Sequence, residues 1–87
     1  MKSYELTVLV RNEGDIEPVK KIVAGYKGEI VEETKWGKRE LAYPIKKETE
    51  AFYFTYQLKL DPGIIADFKK KMNYEESIVR YLLLAKE

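Results

Sequence analysis

Lys35, Lys38, Arg39, Lys46 and Lys47 are interleaved with the aromatic rings of Trp36 and Tyr43. Cations pair with phosphates and rings stack on unpaired bases, so this mixture suits a nucleic acid. The same residues suit a solvated edge strand whose lysines keep it from pairing with a second sheet. Residue types alone leave both readings open. Glu29, Glu32 and Glu33 on one segment, and Glu75 with Glu76, are the other concentration of ionisable groups. Paired carboxylates can move protons or hold a cation. Here no histidine, cysteine or glycine-rich phosphate loop accompanies them. A solvated charged face is the better reading. The run Lys69-Lys70-Lys71 falls where a helix should end, and cations there offset the negative end of its dipole.

Composition narrows the classes further. Eighty-seven residues make one domain, expected to span 1–87. The hydrophobic share of 45% supports a globule, although so short a chain buries only about 60% of its unfolded surface. Charge is plentiful at 36% but balances to +1, so any nucleic-acid site must come from clustering. Without cysteine there is no disulfide and no thiolate, and without histidine the commonest general base and metal ligand is missing. No enzyme activity, cofactor, metal or small-molecule substrate is expected. No apolar run approaches the roughly 20 residues of a membrane span, and a cytoplasmic protein fits.

The elements follow from periodicity. Tyr4, Leu6, Val8 and Val10 alternate with Glu5, Thr7 and Leu9 as a half-buried strand. Arg11 to Gly14 is a turn, and Asp15 is the expected N-cap of a helix. Ile16, Val19, Ile22, Val23 and Tyr26 carry that helix, with Pro18 in its first turn and Gly25 and Gly28 about its exit. A second strand runs from Glu29 towards Trp36. Gly37 marks a bulge, and Leu41, Tyr43 and Ile45 continue the strand period. Pro44 requires an edge or bulged position. Phe52 to Leu60 pairs with that strand as a hairpin, with Phe54, Tyr56, Leu58 and Leu60 on the core face. Asp61-Pro62 opens a second helix, carried by Ile64 or Ile65, Phe68 and Met72, with Asn73 as its C-cap. Ile78 to Ala85 is the last strand, with Leu82 and Leu84 expected to face the helices. The order β-α-β-β-α-β is a ferredoxin-like split βαβ of the α+β class. Right-handed crossovers put both helices on one face of a four-stranded antiparallel sheet. The other face should hold Glu5, Thr7, Leu9, Tyr53, Thr55, Gln57, Tyr81, Leu83 and Ala85. Its apolar members mark a partner site.

The stretch Trp36 to Lys47, WGKRELAYPIKK, resembles the signature of the bacterial small-subunit ribosomal protein number six family. Gly37, Arg39, Glu40, Leu41, Ala42, Tyr43, Ile45 and Lys46 each satisfy its pattern. Lys2 to Leu6 resembles the family's opening, Phe52 to Leu60 its aromatic strand and Val79 to Lys86 its last strand. The resemblance implies a structural constituent of the small ribosomal subunit that is cytoplasmic and ribosome-associated. It implies binding to ribosomal RNA of the central domain, jointly with the small basic ribosomal protein number eighteen. Candidate RNA contacts are Lys2, Tyr4, Lys38, Arg39, Lys46, Arg80 and Lys86. Candidate contacts to the partner protein are Leu9, Arg39, Tyr43, Tyr53, Tyr81 and Leu83. Glu40 stands where the family often has a second cation, which implies weaker affinity for RNA alone. The alternative is a small regulatory or ligand-binding module that dimerises through its open sheet face.

Overall fold

The computed structural model describes residues 2–45 and 47–86. Strands β1 (Lys2–Val10), β2 (Glu29–Ile45), β3 (Glu48–Leu60) and β4 (Ile78–Ala85) form one sheet, and helices α1 (Ile16–Gly25) and α2 (Ile65–Asn73) connect them. Spatial order is β2-β3-β1-β4, with antiparallel neighbours throughout. This is the expected ferredoxin-like arrangement.

Alternation decides what β1 and β3 bury. Tyr4, Leu6 and Val8 stand opposite Leu58, Tyr56 and Phe54. This strip receives Val19, Ile22 and Val23 of α1 and Phe68 and Met72 of α2, so both helices lie on the same face. Removing such a side chain from water contributes roughly 1.5–3 kcal/mol. Tyr26 meets Phe68 edge-on at 5.8 Å, and its hydroxyl donates to the Asp67 carbonyl, joining the helices.

Helix ends follow the sequence in part. Asp61 accepts from the Gly63 N–H at 2.8 Å and Pro62 follows it, as the second helix requires. Asp15 reaches backwards instead: its carboxylate accepts from the Asn12 backbone N–H and side-chain amide, over a short 3₁₀ turn, Glu13–Asp15. Asn73 is the last residue of α2 and Tyr74 its C-cap. At the exit of α1 the left-handed residue is Lys27 at φ 59°, not a glycine. Gly28 N–H bonds back to the Val23 carbonyl and Lys27 N–H to that of Ala24, which closes the helix. Gly28 is needed for space, because a Cβ there would lie 2.5 Å from Leu60 Cδ2 and 2.8 Å from Val23 Cγ1.

Register breaks set the rest. Lys35 stands opposite Phe54 and Gly37 opposite Tyr53, which leaves Trp36 as the extra residue of a bulge. Gly37 has φ +83°, a conformation costly for any other residue. Glu40 stands opposite Glu50 and Ile45 opposite Glu48, so residues 41–44, with Pro44 among them, leave the regular ladder. In β4, Val10 pairs with Ile78 but Leu9 with Arg80, so Val79 is extra. That bulge reverses the expected faces of β4. Tyr81 and Leu83 pack on the helix-side core, while Leu82 and Leu84 are 54% and 48% exposed on the other side.

The most deeply buried tyrosine among the described residues has its hydroxyl matched. The Tyr56 hydroxyl, on a ring only 1% exposed, donates to Glu33 Oε2 at 2.7 Å, and Lys20 Nζ lies 3.4 Å from the same oxygen. The Tyr56 bond, assisted by Lys20 and opposed by burial, holds the Glu33 carboxyl below the ordinary range. Burial first, then the same bond, pushes the Tyr56 phenol upward.

Two predictions follow from these contacts. In thermal and urea melts, Gly28→Ala should lose about 1–3 kcal/mol through overpacking, whereas Lys27→Gly should gain about 0.5–1 kcal/mol by relieving the left-handed backbone. The stability contribution of Glu33 is full above the ordinary carboxylate pKa and drains as pH falls through its lowered folded value. The contribution of Tyr56 is full below the ordinary phenol pKa of about 10 and is lost above it, as the unfolded chain ionises. Tyr56→Phe should flatten both limbs of a stability-against-pH curve and cost about 1.5–3 kcal/mol at neutral pH.

Candidate nucleic-acid and partner interface

On the sheet face away from the helices lies a second, small apolar cluster. Leu9, Ala51 and Val79 are its buried members, and Leu41 and Tyr53 pack against them half-buried. The displaced segment 41–44 makes this possible, since it carries Leu41 over the sheet. Leu9, expected as an exposed partner contact, is 5% exposed and serves this cluster instead. Val79 joins it because the β4 bulge turns it to this side.

Around the cluster the face opens into two clefts that share Thr7 and Tyr53 as their common wall. One, of about 340 Å³, is mostly apolar and runs between Leu41, Ala42 and Tyr43 on the hairpin and Arg80 and Leu82 on β4. The other, of about 490 Å³, is bordered by Trp36, Arg39, Glu40 and Thr55. The Trp36 indole N–H donates to Thr55 Oγ1 at 2.9 Å, which fixes the ring while leaving it 51% exposed.

The candidate cations fall into two groups. Lys2 begins β1, and the Lys86 N–H bonds the neighbouring Ser3 carbonyl, so these two share one end of the sheet. Arg80 stands opposite Leu9 near the other end, about six residues or roughly 20 Å along β1. Arg39, opposite Ala51, shares that end. Lys38 pairs with Glu50 at 3.5 Å and Lys86 with Glu5 at 3.9 Å. Arg39 and Arg80 are exposed and have no ion pair among the described residues. Lys46 lies outside the described residues.

Three further expectations are corrected by position. Tyr4 is 8% exposed within the helix-side core, so its ring is not presented to RNA. Tyr81 turns inward; its hydroxyl proton is shared by the Lys69 carbonyl (3.2 Å) and Asn73 Oδ1 (3.0 Å) of α2. Leu83 lies on the same inner side. Leu82 and Leu84 take their places on the outer face, opposite Thr7 and Glu5. Tyr43 and Tyr53 remain where expected, exposed and half-buried respectively.

The acidic residues are structural where the contacts define them. Glu33 is bound to Tyr56 and Lys20, and Glu75 accepts from the Ser77 hydroxyl at 3.0 Å. Among the described residues no acidic cluster could hold a metal ion, and no helix is long and apolar enough to cross a membrane.

The model of the family "Ribosomal protein S6" matches residues 3–85. The chain is 36% identical to a small ribosomal subunit protein bS6 of Heliobacterium modesticaldum, covering 100% of this chain and 98% of that one. It is 32% identical to the bS6 of Buchnera aphidicola, covering 97% and 76%. Among solved structures, 30S ribosomal protein S6 of Thermotoga maritima superposes with a TM-score of 0.85 at 24% identity, covering 98% of this chain and 87% of that one. The C-terminal domain of the MgtC protein of Mycobacterium tuberculosis shares the fold at a TM-score of 0.61 with 10% identity, so the fold alone does not assign a role. With the signature, the sheet order and the match along almost the whole chain in agreement, this protein belongs to the ribosomal protein S6 family, structural proteins of the small ribosomal subunit rather than enzymes.

Proposed function

We propose that the chain binds ribosomal RNA of the central domain of the small subunit together with the small basic ribosomal protein eighteen, which docks on the sheet face away from the helices. The observation that carries this reading is the apolar cleft on that face. Leu82 and Tyr43, both large and exposed, line this cleft with Tyr53 and make a contiguous apolar patch, which Leu84, two residues beyond Leu82 on β4, extends. Arg39 and Arg80, free of ion pairs among the described residues, stand at its margin for phosphate. Lys2 and Lys86 form a second basic group at the other end of the sheet, where Glu5 already pairs with Lys86. The regulatory alternative would use the same face for self-association, and the unpaired arginines favour RNA over it.

Assembly onto small-subunit RNA, followed by sedimentation across a salt series, tests the RNA half. Arg39→Ala and Arg80→Ala should each reduce the log–log salt slope by about one unit. Lys38→Ala should matter less, because its charge is already matched by Glu50. Unchanged slopes for both arginine variants would remove these contacts from the proposal.

Partner titration tests the other half. Leu82→Ser should weaken the heterodimer at least tenfold with little change in melting temperature, since Leu82 is exposed in the free chain. Tyr53→Ala should weaken binding and also lower stability, because Tyr53 packs on Leu9 and Ala51. Self-association of the pure chain that Leu82→Ser abolishes, without any effect on the basic partner, would favour the alternative.

A further inference from the structure

The two clefts share Thr7 and Tyr53 and each has an arginine at its border, Arg80 in one and Arg39 in the other, but only the second has an exposed indole. The cleft beside Leu82 is walled by Leu41, Ala42 and Leu82, aliphatic groups that suit a protein side chain. The cleft beside Trp36 combines a fixed aromatic ring, a free guanidinium and two hydroxyls. We propose that this second cleft receives one unpaired nucleotide of an RNA strand, its base stacked on the Trp36 indole and its phosphate paired with Arg39. The inference rests on the RNA-binding reading above and assigns it a site.

Trp36 is the chain's single tryptophan, and half of it faces water. It stands at the extra position of the β2 bulge, where Gly37 at φ +83° lets the strand turn and re-aim the side chain. Its one polar atom is already satisfied by Thr55, so the ring is held in place and a stacking ligand need not order it. Stacking on such a ring is tolerant of sequence, because every base has a π-face. Thr7 and Thr55 stand opposite each other across β1 and β3 and offer hydroxyls at the cleft wall.

Charge selects the ligand. Arg39 borders the cleft, is exposed, and has no ion pair among the described residues. Neighbouring Lys38 is turned to Glu50. An arginine side chain from a protein partner would also stack on an indole, but it would meet Arg39 as a like charge. A nucleotide brings a neutral base for the ring and an anion for the guanidinium. Glu40 also borders the cleft and offsets part of the Arg39 charge, so the phosphate is seated on the Arg39 side, away from it.

Because Trp36 is the sole tryptophan, its fluorescence reports this site directly. The full chain is titrated with a single-stranded oligoadenylate at low salt, up to millimolar concentration. Intrinsic fluorescence and the anisotropy of a labelled copy are read together. Quenching that tracks the anisotropy is expected. Trp36→Leu should weaken binding tenfold or more, Trp36→Phe should retain most of it, and Arg39→Gln should lower the salt slope by about one unit. Oligonucleotide bound without quenching, and unaffected by Trp36→Leu, would overturn this site while leaving RNA binding elsewhere intact. Absence of both signals would overturn the site and the RNA reading of the isolated chain together. Quenching by an arginine-rich peptide but not by the oligonucleotide would assign the cleft to a protein and overturn the proposal.

Discussion

Pairing of β1 with β3 places Leu6 beside Tyr56 and Val8 beside Phe54 at the middle of the sheet, and both helices pack on that strip. A strand has only two faces, so this one alignment fixes which residues of β1 and β3 can meet solvent or a partner. The edge strands then depart from it. Extra residues at Trp36 and Val79, and the displaced segment 41–44, shift parity along these edges, so that β4 turns Tyr81 and Leu83 inward and Leu82 and Leu84 outward. The central pair therefore supplies stability, and the irregular edges shape the clefts of the outer face.

The buried Tyr56 hydroxyl shows how an edge is tied to the centre. Its bond to Glu33 crosses from β3 to β2, and Lys20 brings α1 to the same oxygen. A charged acceptor makes the bond stronger than a neutral pair would be, and the partly open carboxylate avoids full desolvation. Sheet, edge and helix thus share one contact.

Much of the fold was legible because β1, α1 and β3 have clean periods. Tyr4-Leu6-Val8-Val10 and Phe54-Tyr56-Leu58-Leu60 each present polar or less apolar neighbours that fix the phase. The last strand has no such marker within Tyr81-Leu82-Leu83-Leu84-Ala85, so its phase could be read only from Arg80, the polar residue that must point outward. The adjacent pair Ile78-Val79, both buried on opposite faces, absorbed the slip. Of the candidate site, the signature was visible as a basic and aromatic strand. Its fold over Leu9 was not, because alternation describes a ladder and residues 41–44 leave one. The burial of Tyr4 was legible from the same alternation that made it a core residue.

The strand order has a consequence for how the molecule comes into being. The strand made first, β1, occupies an interior place, and its two neighbours are the third and fourth strands to be made. A nascent chain that has emitted β1 and α1 holds Leu6, Val8 and Val19 with no sheet to cover them. Only when β3 emerges do those side chains gain a partner, and the edge beside β1 stays unfilled until β4 follows. The local β2–β3 hairpin can close early, since its turn is short, but the distant pairings of β1 must wait on loop closure across most of the chain. The sheet is thus completed only once β4, which follows every other element in the chain, has been made.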